Sequence, residues 1–242
     1  MITRHRDGDV EVIRIDRHER RNALDVEHCQ ALREAVRAAT DDAARAIVIT
    51  GAGSSFCAGA DLGTVYGNRF RDALYGMLAA ITQTPVPVLA SVNGAAIGAG
   101  TQLAIACDLR VAAPTARFAI PTARNGLAVD PWTIRRLALL AGGGVARAVL
   151  IGCDTLDADT ALARGLVDRL GGHSAALGWA REIAELAPLT LSYAKRALND
   201  LFEPAINDTE LLKAFDACWT SEDLEEGDRA RREGRPPRFR GR

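Results

Sequence analysis

The sequence predicts an α/β fold in which parallel strands alternate with helices up to about residue 130 and helices dominate beyond it. Two patterns support this prediction: apolar residues alternate along short segments, as in strands, and recur every three or four residues along longer segments, as in helices. In the first half of the chain these patterns follow each other in strand, helix, strand order, which is typical of parallel pairing. With 242 residues, the chain is long enough to build one domain with a sizeable core.

Two strand, helix, strand units are predicted in the first half of the chain. The first consists of the strand Val10–Ile15, a helix over 26–39 that Asp25 caps, and a strand over 46–50. In the second unit a Thr-Pro-Val-Pro segment separates the helix from the strand, because proline restricts the residue before it to extended backbone. The remaining predicted elements are a helix over 70–83, a strand over 87–92, a helix over 97–107, and short strands at Leu109–Ala112 and Arg117–Ala119.

Beyond residue 130 the apolar residues keep helical spacing almost throughout. The last predicted helix is more apolar than an isolated surface helix requires, so it packs either on another subunit or on its own core. The basic segment 229–242 is expected to be a solvated tail rather than a binding element. The helices predicted in this part of the chain cover 134–140, 145–151, 175–186, 189–198 and 211–224.

Composition and charge exclude several classes of protein. A net charge of −1 gives no indication of a nucleic-acid partner, and no apolar stretch approaches the roughly 20 residues of a membrane span. The N-terminus lacks the apolar segment of a signal peptide, so we expect a cytoplasmic protein. Five scattered cysteines argue against a disulfide framework and against a zinc site, and we expect them to be reduced. They are Cys29, Cys57, Cys107, Cys153 and Cys218.

Common catalytic motifs are absent from the sequence. Glycine-rich turns at 51–56 and 98–103 follow predicted strands, but neither contains the third glycine of a dinucleotide-binding fingerprint. The sequence also lacks a phosphate-binding loop, a His-Glu-x-x-His helix and a Gly-x-Ser-x-Gly elbow. Cys57 has no histidine nearby in the sequence, which is more typical of a structural cysteine than of a nucleophile. We therefore expect neither a cofactor nor a metal.

Two segments of small residues are the most informative feature of the chain. One is Phe-Cys-Ala-Gly-Ala-Asp-Leu at 56–62, and the other is Pro-Val-Leu-Ala-Ser-Val-Asn-Gly-Ala-Ala-Ile-Gly-Ala-Gly at 87–100. Alanine and glycine let two backbone N–H groups converge on one acceptor, and the second segment opens a helix whose N-terminus favours negative charge. The pair therefore predicts an oxyanion hole. The alternative is that the glycines only permit tight turns.

These two segments resemble the signature of the crotonase, or enoyl-CoA hydratase/isomerase, superfamily, and the resemblance extends from Arg-Arg-Asn-Ala-Leu at 20–24 to Arg-Pro-Pro-Arg-Phe at 235–239. It implies a ββα spiral core over 1–190 and a C-terminal helical trimerisation region over 191–242. The expected assembly is a homotrimer or a dimer of trimers, and the expected ligand is an acyl-CoA thioester. By the same resemblance, the N–H groups of Ala60 and Ala99 hold the thioester oxygen. The substrate-binding positions that it implies are Arg21, Ala23, Ala58, Asp61, Leu62, Gly98 and Trp132.

The sequence departs from the family where hydratases carry two glutamates that hold one water. Here those positions are Gln102 and Thr122. Neither an amide nor a hydroxyl takes a proton from water near neutral pH as a carboxylate does. General acid or base catalysis is worth roughly 10²- to 10⁴-fold per group, so we expect hydration to be nearly abolished.

One carboxylate lies near the expected site. Asp130 is followed by Pro131 and a helical run, which is the pattern of an ordinary helix N-cap, but at this position related enzymes use an aspartate as nucleophile or base. The glutamine, threonine and aspartate together resemble a mycobacterial branch of the family that lacks both glutamates. That resemblance implies long-chain acyl-CoA handling for fatty and mycolic acid synthesis, with fatty-acid synthesis proteins as partners.

Three functions are open at this point. The first is a catalytically silent protein that binds acyl-CoA. The second is a double-bond isomerase, or another acyl-CoA enzyme with a single carboxylate, in which Asp130 is the acid or base. The third is slow hydration with a water positioned by Gln102 and Thr122. We rank them in this order.

Overall fold

The computed structural model describes residues 1–61, 63, 68–202 and 209–240. Within them the chain forms two β-sheets, a larger one of six strands and a smaller one of four. The strands are β1 (Ile2–Asp7), β2 (Val10–Ile15), β3 (Ala46–Gly51), β4 (Ser55–Cys57), β5 (Val88–Val92), β6 (Ala95–Ile97), β7 (Leu109–Ala112), β8 (Arg117–Ala119), β9 (Leu156–Asp157) and β10 (Arg169–Leu170).

The larger sheet has the order β1, β2, β3, β5, β7, β10. From β2 to β10 every neighbouring pair is parallel, so the predicted parallel pairing is confirmed. β1 pairs antiparallel with β2 at one edge and was not predicted. Its residues Thr-Arg-His-Arg-Asp after Ile2 are polar and largely exposed, so this edge strand lacks the apolar alternation on which the prediction depends.

The chain contributes to the two sheets in turn, which produces a ββα spiral. β3 leads into β4 and then a helix, and β5 leads into β6 and then another helix. The smaller sheet has the order β4, β6, β8, β9. β4 and β6 were missed because they adjoin glycine-rich segments that favour turns, whereas β8, which is equally short, has no glycine beside it and was predicted. The helix predicted over 97–107 begins only at Ala99, after the strand Ala95–Ile97.

The described helices are α1 (Val26–Asp41), α2 (Asn68–Gln83), α3 (Ala99–Ala106), α4 (Pro131–Leu150), α5 (Ala158–Ala163), α6 (His173–Ala184), α7 (Pro188–Phe202), α8 (Thr209–Trp219) and α9 (Glu222–Glu233). α1, α2 and α3 pack on the main hydrophobic core, and α6 covers the other face of the larger sheet. The larger sheet is therefore buried on both faces, as parallel sheets usually are. None of the helices in the described ranges is long and apolar enough to cross a membrane.

The helical C-terminal part is confirmed, with changes in its boundaries. The helices predicted over 134–140 and 145–151 are both in α4, where Gly142 interrupts the helix with φ +84°. The helix predicted over 211–224 is divided between α8 and α9, because Ser221 caps α9 through its hydroxyl. The prediction of a solvated tail over 229–242 was wrong for its first part, because residues 229–233 belong to α9 and Arg235 binds Glu226.

A buried lysine joins the C-terminal helices to the core. Lys195 Nζ of α7 donates hydrogen bonds to the carbonyl oxygens of Ile81 at 3.0 Å and Val86 at 3.1 Å, and it lies 2.8 Å from the carboxylate of Asp108. These three acceptors use all the donors of the ammonium group. The contact connects the predicted C-terminal region, 191–242, to the predicted core, 1–190.

Candidate functional site

Glycines bring the two small-residue segments into direct backbone contact. A Cβ added to Gly100 would lie 2.0 Å from the carbonyl oxygen of Cys57, and one added to Gly59 would lie 2.8 Å from that of Ile97. Gly59 also has φ +108°, a conformation that other residues rarely adopt. The start of α3 therefore packs against residues 57–60 at a distance that only glycine permits.

Ala60 and Ala99 both line one cavity of about 210 Å³ beside this contact. Ala99 is the first residue of α3, where a backbone N–H has no partner within the helix. Among the hydrogen bonds of the described residues, none uses the N–H of Ala60 or Ala99 as its donor. Two free donors therefore stand at the cavity wall, and one of them is at the positive end of a helix dipole. This arrangement suits a developing or partial negative charge on oxygen.

The rest of the cavity wall is mostly apolar and comes from α2, α8 and the segment before α4. The sequence analysis did not identify Trp219 of α8, which lines this cavity. Arg71 carries the charge on the described wall, and its guanidinium lies 5.5 Å from the ring centre of Phe215 and 5.3 Å from that of Trp219. The wall includes Phe70, Arg71, Leu74, Tyr75, Ile97, Gly98, Asn125, Leu127, Val129 and Trp219.

Gln102 and Thr122 line the same cavity as Ala60 and Ala99. The structure thus brings together the predicted oxyanion pair and both positions at which the family's glutamates are replaced. None of the described residues that line this cavity is an aspartate or a glutamate.

Gln102 belongs to a hydrogen-bonded group at the start of α4. Its Nε2 donates to the hydroxyl of Thr133 at 2.8 Å and reaches Oδ1 of Asp130 at 3.4 Å. The Thr133 hydroxyl in turn donates to Oδ1 of Asp130. Sequence reasoning missed Thr133, although a threonine three residues after an N-cap aspartate is well placed to bind it.

Asp130 is the N-cap of α4, as predicted, and its carboxylate accepts a hydrogen bond from the N–H of Thr133. Burial raises the pKa of Asp130, and the hydrogen bonds from Thr133 oppose that shift. Asp130 and Trp132 line a neighbouring pocket of about 350 Å³ rather than the cavity with the alanine N–H groups. Tyr75 lines both of them.

The predicted coenzyme A path is held by an arginine that the sequence did not indicate. Arg17 donates to the carbonyl oxygen of Ala23 at 3.0 Å and forms ion pairs with Asp25 at 3.1 Å and Asp61 at 3.0 Å. Asp61 immediately follows Ala60, so Arg17 connects the loop at 21–25 to the loop that carries one of the free N–H groups.

The other predicted positions of this path lie in the same region. The carbonyl oxygen of Arg21 accepts a hydrogen bond from the N–H of Ala58, and the Arg21 side chain is exposed. Gly98 lines the cavity. Leu62, the remaining predicted position, lies outside the described residues.

The cysteine beside the first glycine turn is unsuited to nucleophilic attack. Cys57 is fully buried, and burial raises the pKa of its thiol to about 12. A thiol in that state is protonated at neutral pH and unreactive. In the described part of the chain, no group of three or more histidine, cysteine, aspartate and glutamate side chains is placed to hold a metal ion.

Comparison with known proteins identifies a family. The model of the enoyl-CoA hydratase/isomerase family matches residues 5–242. A protein of Mycobacterium tuberculosis named "probable enoyl-CoA hydratase echA6" is 48% identical over 232 residues, which are 95% of each chain. The short-chain-enoyl-CoA hydratase of Clostridium acetobutylicum is 32% identical over 233 residues, 90% of this chain and 89% of that protein.

Solved structures agree with the sequence comparison. A carnitinyl-CoA hydratase from Mycobacterium avium has a TM-score of 0.85 and 30% identity, and the match covers 100% of this chain and 98% of that one. A methylmalonyl-CoA decarboxylase in complex with 2-nitronate-propionyl-CoA has a TM-score of 0.92 and 25% identity, with the same coverage.

Proposed function

The chain belongs to the enoyl-CoA hydratase/isomerase family, and on that basis we propose that it binds long-chain acyl-CoA thioesters in fatty acid metabolism with little or no hydration of them. One observation carries this proposal. The free N–H groups of Ala60 and Ala99 meet at a cavity whose described wall contains no carboxylate. The site can hold a thioester oxygen, but it lacks the group that would activate water.

The two N–H groups support thioester binding. They are held by backbone contacts between Gly59, Gly100 and their neighbours, so they are oriented before a ligand arrives. Preorganised donors of this kind bind a partly negative oxygen without the cost of reorienting during binding. They need no cofactor, and we propose that coenzyme A enters only as part of the ligand.

The absence of hydration follows from the polar groups that are present. Gln102 and Thr122 orient water but do not accept its proton near neutral pH. The Asp130 carboxylate caps α4 and accepts a hydrogen bond from the Thr133 hydroxyl, and Asp130 lines the neighbouring pocket instead of this cavity. These contacts favour a binding protein over an enzyme with a single carboxylate.

A long acyl chain suits the two adjoining pockets. Phe70, Leu74 and Leu127 give the first cavity an apolar wall, and Tyr75 is the partition between it and the pocket beside Trp132. A chain that is too long for the first cavity reaches the second once the Tyr75 ring turns aside. We propose that the bound acyl-CoA is then passed intact to a fatty-acid synthesis protein.

We also propose that copies of the chain assemble as a trimer or a dimer of trimers. An apolar groove of about 600 Å³ runs between α4, α6 and α7. Leu139, Leu186 and Leu198 on this groove are 48%, 51% and 54% exposed. A contiguous apolar surface of this kind is typical of a subunit contact. Light scattering after size exclusion measures the mass directly, and a monomer would contradict this part of the proposal.

The function is tested by two measurements on the same purified protein. Calorimetry with saturated acyl-CoAs of increasing length measures binding, and spectrophotometric assays measure hydration and isomerisation of matched enoyl-CoAs. We expect affinity that rises with chain length, without turnover. Turnover that is lost in Asp130→Asn would establish the single-carboxylate enzyme instead, and rapid hydration would contradict the argument from Gln102 and Thr122.

A further inference from the structure

A largely buried cation stands in the wall of the cavity that Ala60 and Ala99 line. It is the guanidinium of Arg71 in α2, whose side chain is only 18% exposed. Within the described residues, none of its N–H groups has an acceptor at hydrogen-bond distance. A charge removed from water without hydrogen bonds costs free energy, so this side chain is placed to receive an acceptor from outside the chain.

The contacts that Arg71 does make leave its N–H groups available. The carboxylate of Asp216 lies 3.6 Å away and is 66% exposed, and an ion pair with so exposed a carboxylate contributes little. The guanidinium lies over the rings of Phe215 and Trp219, at 5.5 Å and 5.3 Å from their centres. Contact with aromatic rings holds the cation in place without using its N–H groups as hydrogen-bond donors.

The surroundings of Arg71 favour an anion. Its neighbours Phe70 and Leu74 on the cavity wall are apolar, and attraction between charges is stronger where water is excluded. The indole Nε1 of Trp219 is also buried, and it has no acceptor among the described residues. An anionic group bound to Arg71 would lie next to this ring. The wall therefore suits a group with several oxygen atoms and a negative charge.

The size of the cavity limits where that anion belongs on a ligand. Arg71 shares the cavity with Ala60 and Ala99, and its volume is about 210 Å³. Pockets that hold drug-sized ligands measure roughly 300–1,000 Å³. A ligand that places its thioester oxygen on the two alanine N–H groups and an anion on Arg71 thus has these groups only a few bonds apart.

We propose that Arg71 binds a carboxylate of the acyl group, so that the site prefers acyl-CoA thioesters with a carboxylate a few bonds from the thioester, such as malonyl-, succinyl- or glutaryl-CoA. This inference rests on the proposed function and specifies its ligand. A carboxylate matches the planar fork of the guanidinium and accepts two parallel hydrogen bonds. A carboxylate near the thioester also leaves the far end of a long chain free to extend toward the pocket beside Trp132.

The direct test is calorimetric titration of the wild-type protein with matched pairs of CoA thioesters. In each pair an isopropyl group of similar shape replaces the carboxylate: malonyl with 3-methylbutanoyl, succinyl with 4-methylpentanoyl, and glutaryl with 5-methylhexanoyl. At least one pair should favour the carboxylate by about ten- to hundredfold, the effect of one or two hydrogen bonds between charged groups. The pair with the largest preference indicates how far Arg71 lies from the thioester.

Variants of one residue attribute the preference to the guanidinium. Arg71→Met keeps the length of the side chain and removes its charge, so it should abolish the preference for the carboxylate. Its affinity for the isopropyl ligands should remain, which shows that the protein is folded. Arg71→Gln is a second neutral variant with the same expectation. Arg69→Met, the same change at an exposed position of α2, is the control and should keep the preference.

The outcomes separate this inference from the function on which it rests. Wild-type protein that binds every isopropyl ligand at least as tightly as its carboxylate partner would overturn the inference and leave acyl-CoA binding intact. A preference that persists in Arg71→Met, or in Arg71→Gln if the first variant fails to fold, would also overturn it. An equal loss of affinity for all ligands and for free CoA in these variants would instead assign Arg71 to a phosphate of CoA. If no acyl-CoA binds, the proposed function fails and the inference fails with it.

Discussion

The backbone of Gly100 lies against the carbonyl oxygen of Cys57 so closely that an added Cβ would stand 2.0 Å from that oxygen. Gly100→Ala must therefore separate α3 from the 57–60 loop, and with it the N–H groups of Ala60 and Ala99. We expect a loss of stability of about 1–3 kcal/mol, as for other overpacked sites, and at least a tenfold loss of acyl-CoA affinity.

The control for this change is Gly178→Ala in α6, where an added Cβ meets no atom within 4 Å. Alanine favours the helix, so this variant should be neutral or up to about 1 kcal/mol more stable. Urea unfolding and calorimetry measure both effects. Full acyl-CoA affinity in Gly100→Ala would show that the backbone contact does not position the oxyanion pair.

Tyr75 is expected to limit acyl-chain length, because its side chain lines both the cavity with the alanine N–H groups and the pocket beside Trp132. Tyr75→Ala should join them and shift the preferred acyl chain toward longer ones, each additional buried methylene contributing up to about 0.8 kcal/mol. Tyr75→Phe keeps the ring and should retain the wild-type length profile. Calorimetry with acyl-CoAs of increasing length measures the affinity of the wild type and both variants. If affinity depends on chain length in the same way in all three proteins, Tyr75 does not limit chain length.

Asp130 should have an unusual effect on the dependence of stability on pH. Burial raises its pKa in the folded chain, so the folded state holds this proton more tightly than the unfolded state does. The free energy of unfolding therefore falls as pH rises from the ordinary aspartate pKa near 4, that of the unfolded chain, to the raised pKa of the folded chain. The stability of the wild type relative to Asp130→Asn should increase on acidification from pH 7, as measured by urea unfolding. A decrease would contradict the raised pKa.

Glu226 should have the opposite effect. Its bonds with Arg235 and with the N–H of Arg238 lower its pKa to about 2. A lowered carboxyl pKa contributes stability that is complete above the ordinary value and is lost as pH falls toward about 2. Between pH 5 and pH 3 the wild type should lose stability faster than Glu226→Gln does. Parallel curves would show that the contact contributes nothing to stability in solution.

Arg17 is expected to support the binding of coenzyme A itself. Its planar fork reaches the carbonyl oxygen of Ala23 and the carboxylates of Asp25 and Asp61 together, which a lysine cannot do. Arg17→Lys should weaken the binding of free CoA by roughly tenfold, the effect of one or two lost charged hydrogen bonds. Arg37→Lys on the exposed face of α1 is the matched control. Equal CoA affinity in both variants would show that Arg17 does not position the two loops for CoA binding.

Most of the larger sheet and its helices could be predicted from the sequence because their apolar periods are long enough to recognise. β4 and β6 could not, because the glycines beside them indicate turns rather than strands, whereas β8, of the same length, has no glycine beside it and was predicted. Ala60, Ala99, Gln102 and Thr122 were predicted as site positions through the resemblance that these glycine segments carry, and the structure places all four at one cavity.

Other parts of the site depend on contacts between residues far apart in the sequence. Nothing in the local pattern indicates that Trp219 folds over Arg71, or that Arg17 reaches Asp61. Thr133 was within reach of sequence reasoning, because it stands three residues after a predicted N-cap, but its bond to Gln102 requires α3 and α4 to meet.

Lys195 limits how this chain can be truncated or recombined with a relative. Its ammonium group binds two carbonyl oxygens and a carboxylate inside the first 110 residues, so removing the last fifty residues would take this donor from them and expose the apolar surface on which the C-terminal helices pack. The C-terminal helices are therefore required for a stable fold, and a chain truncated before them should aggregate or be degraded. A chimera that takes these helices from a relative must keep a lysine at position 195.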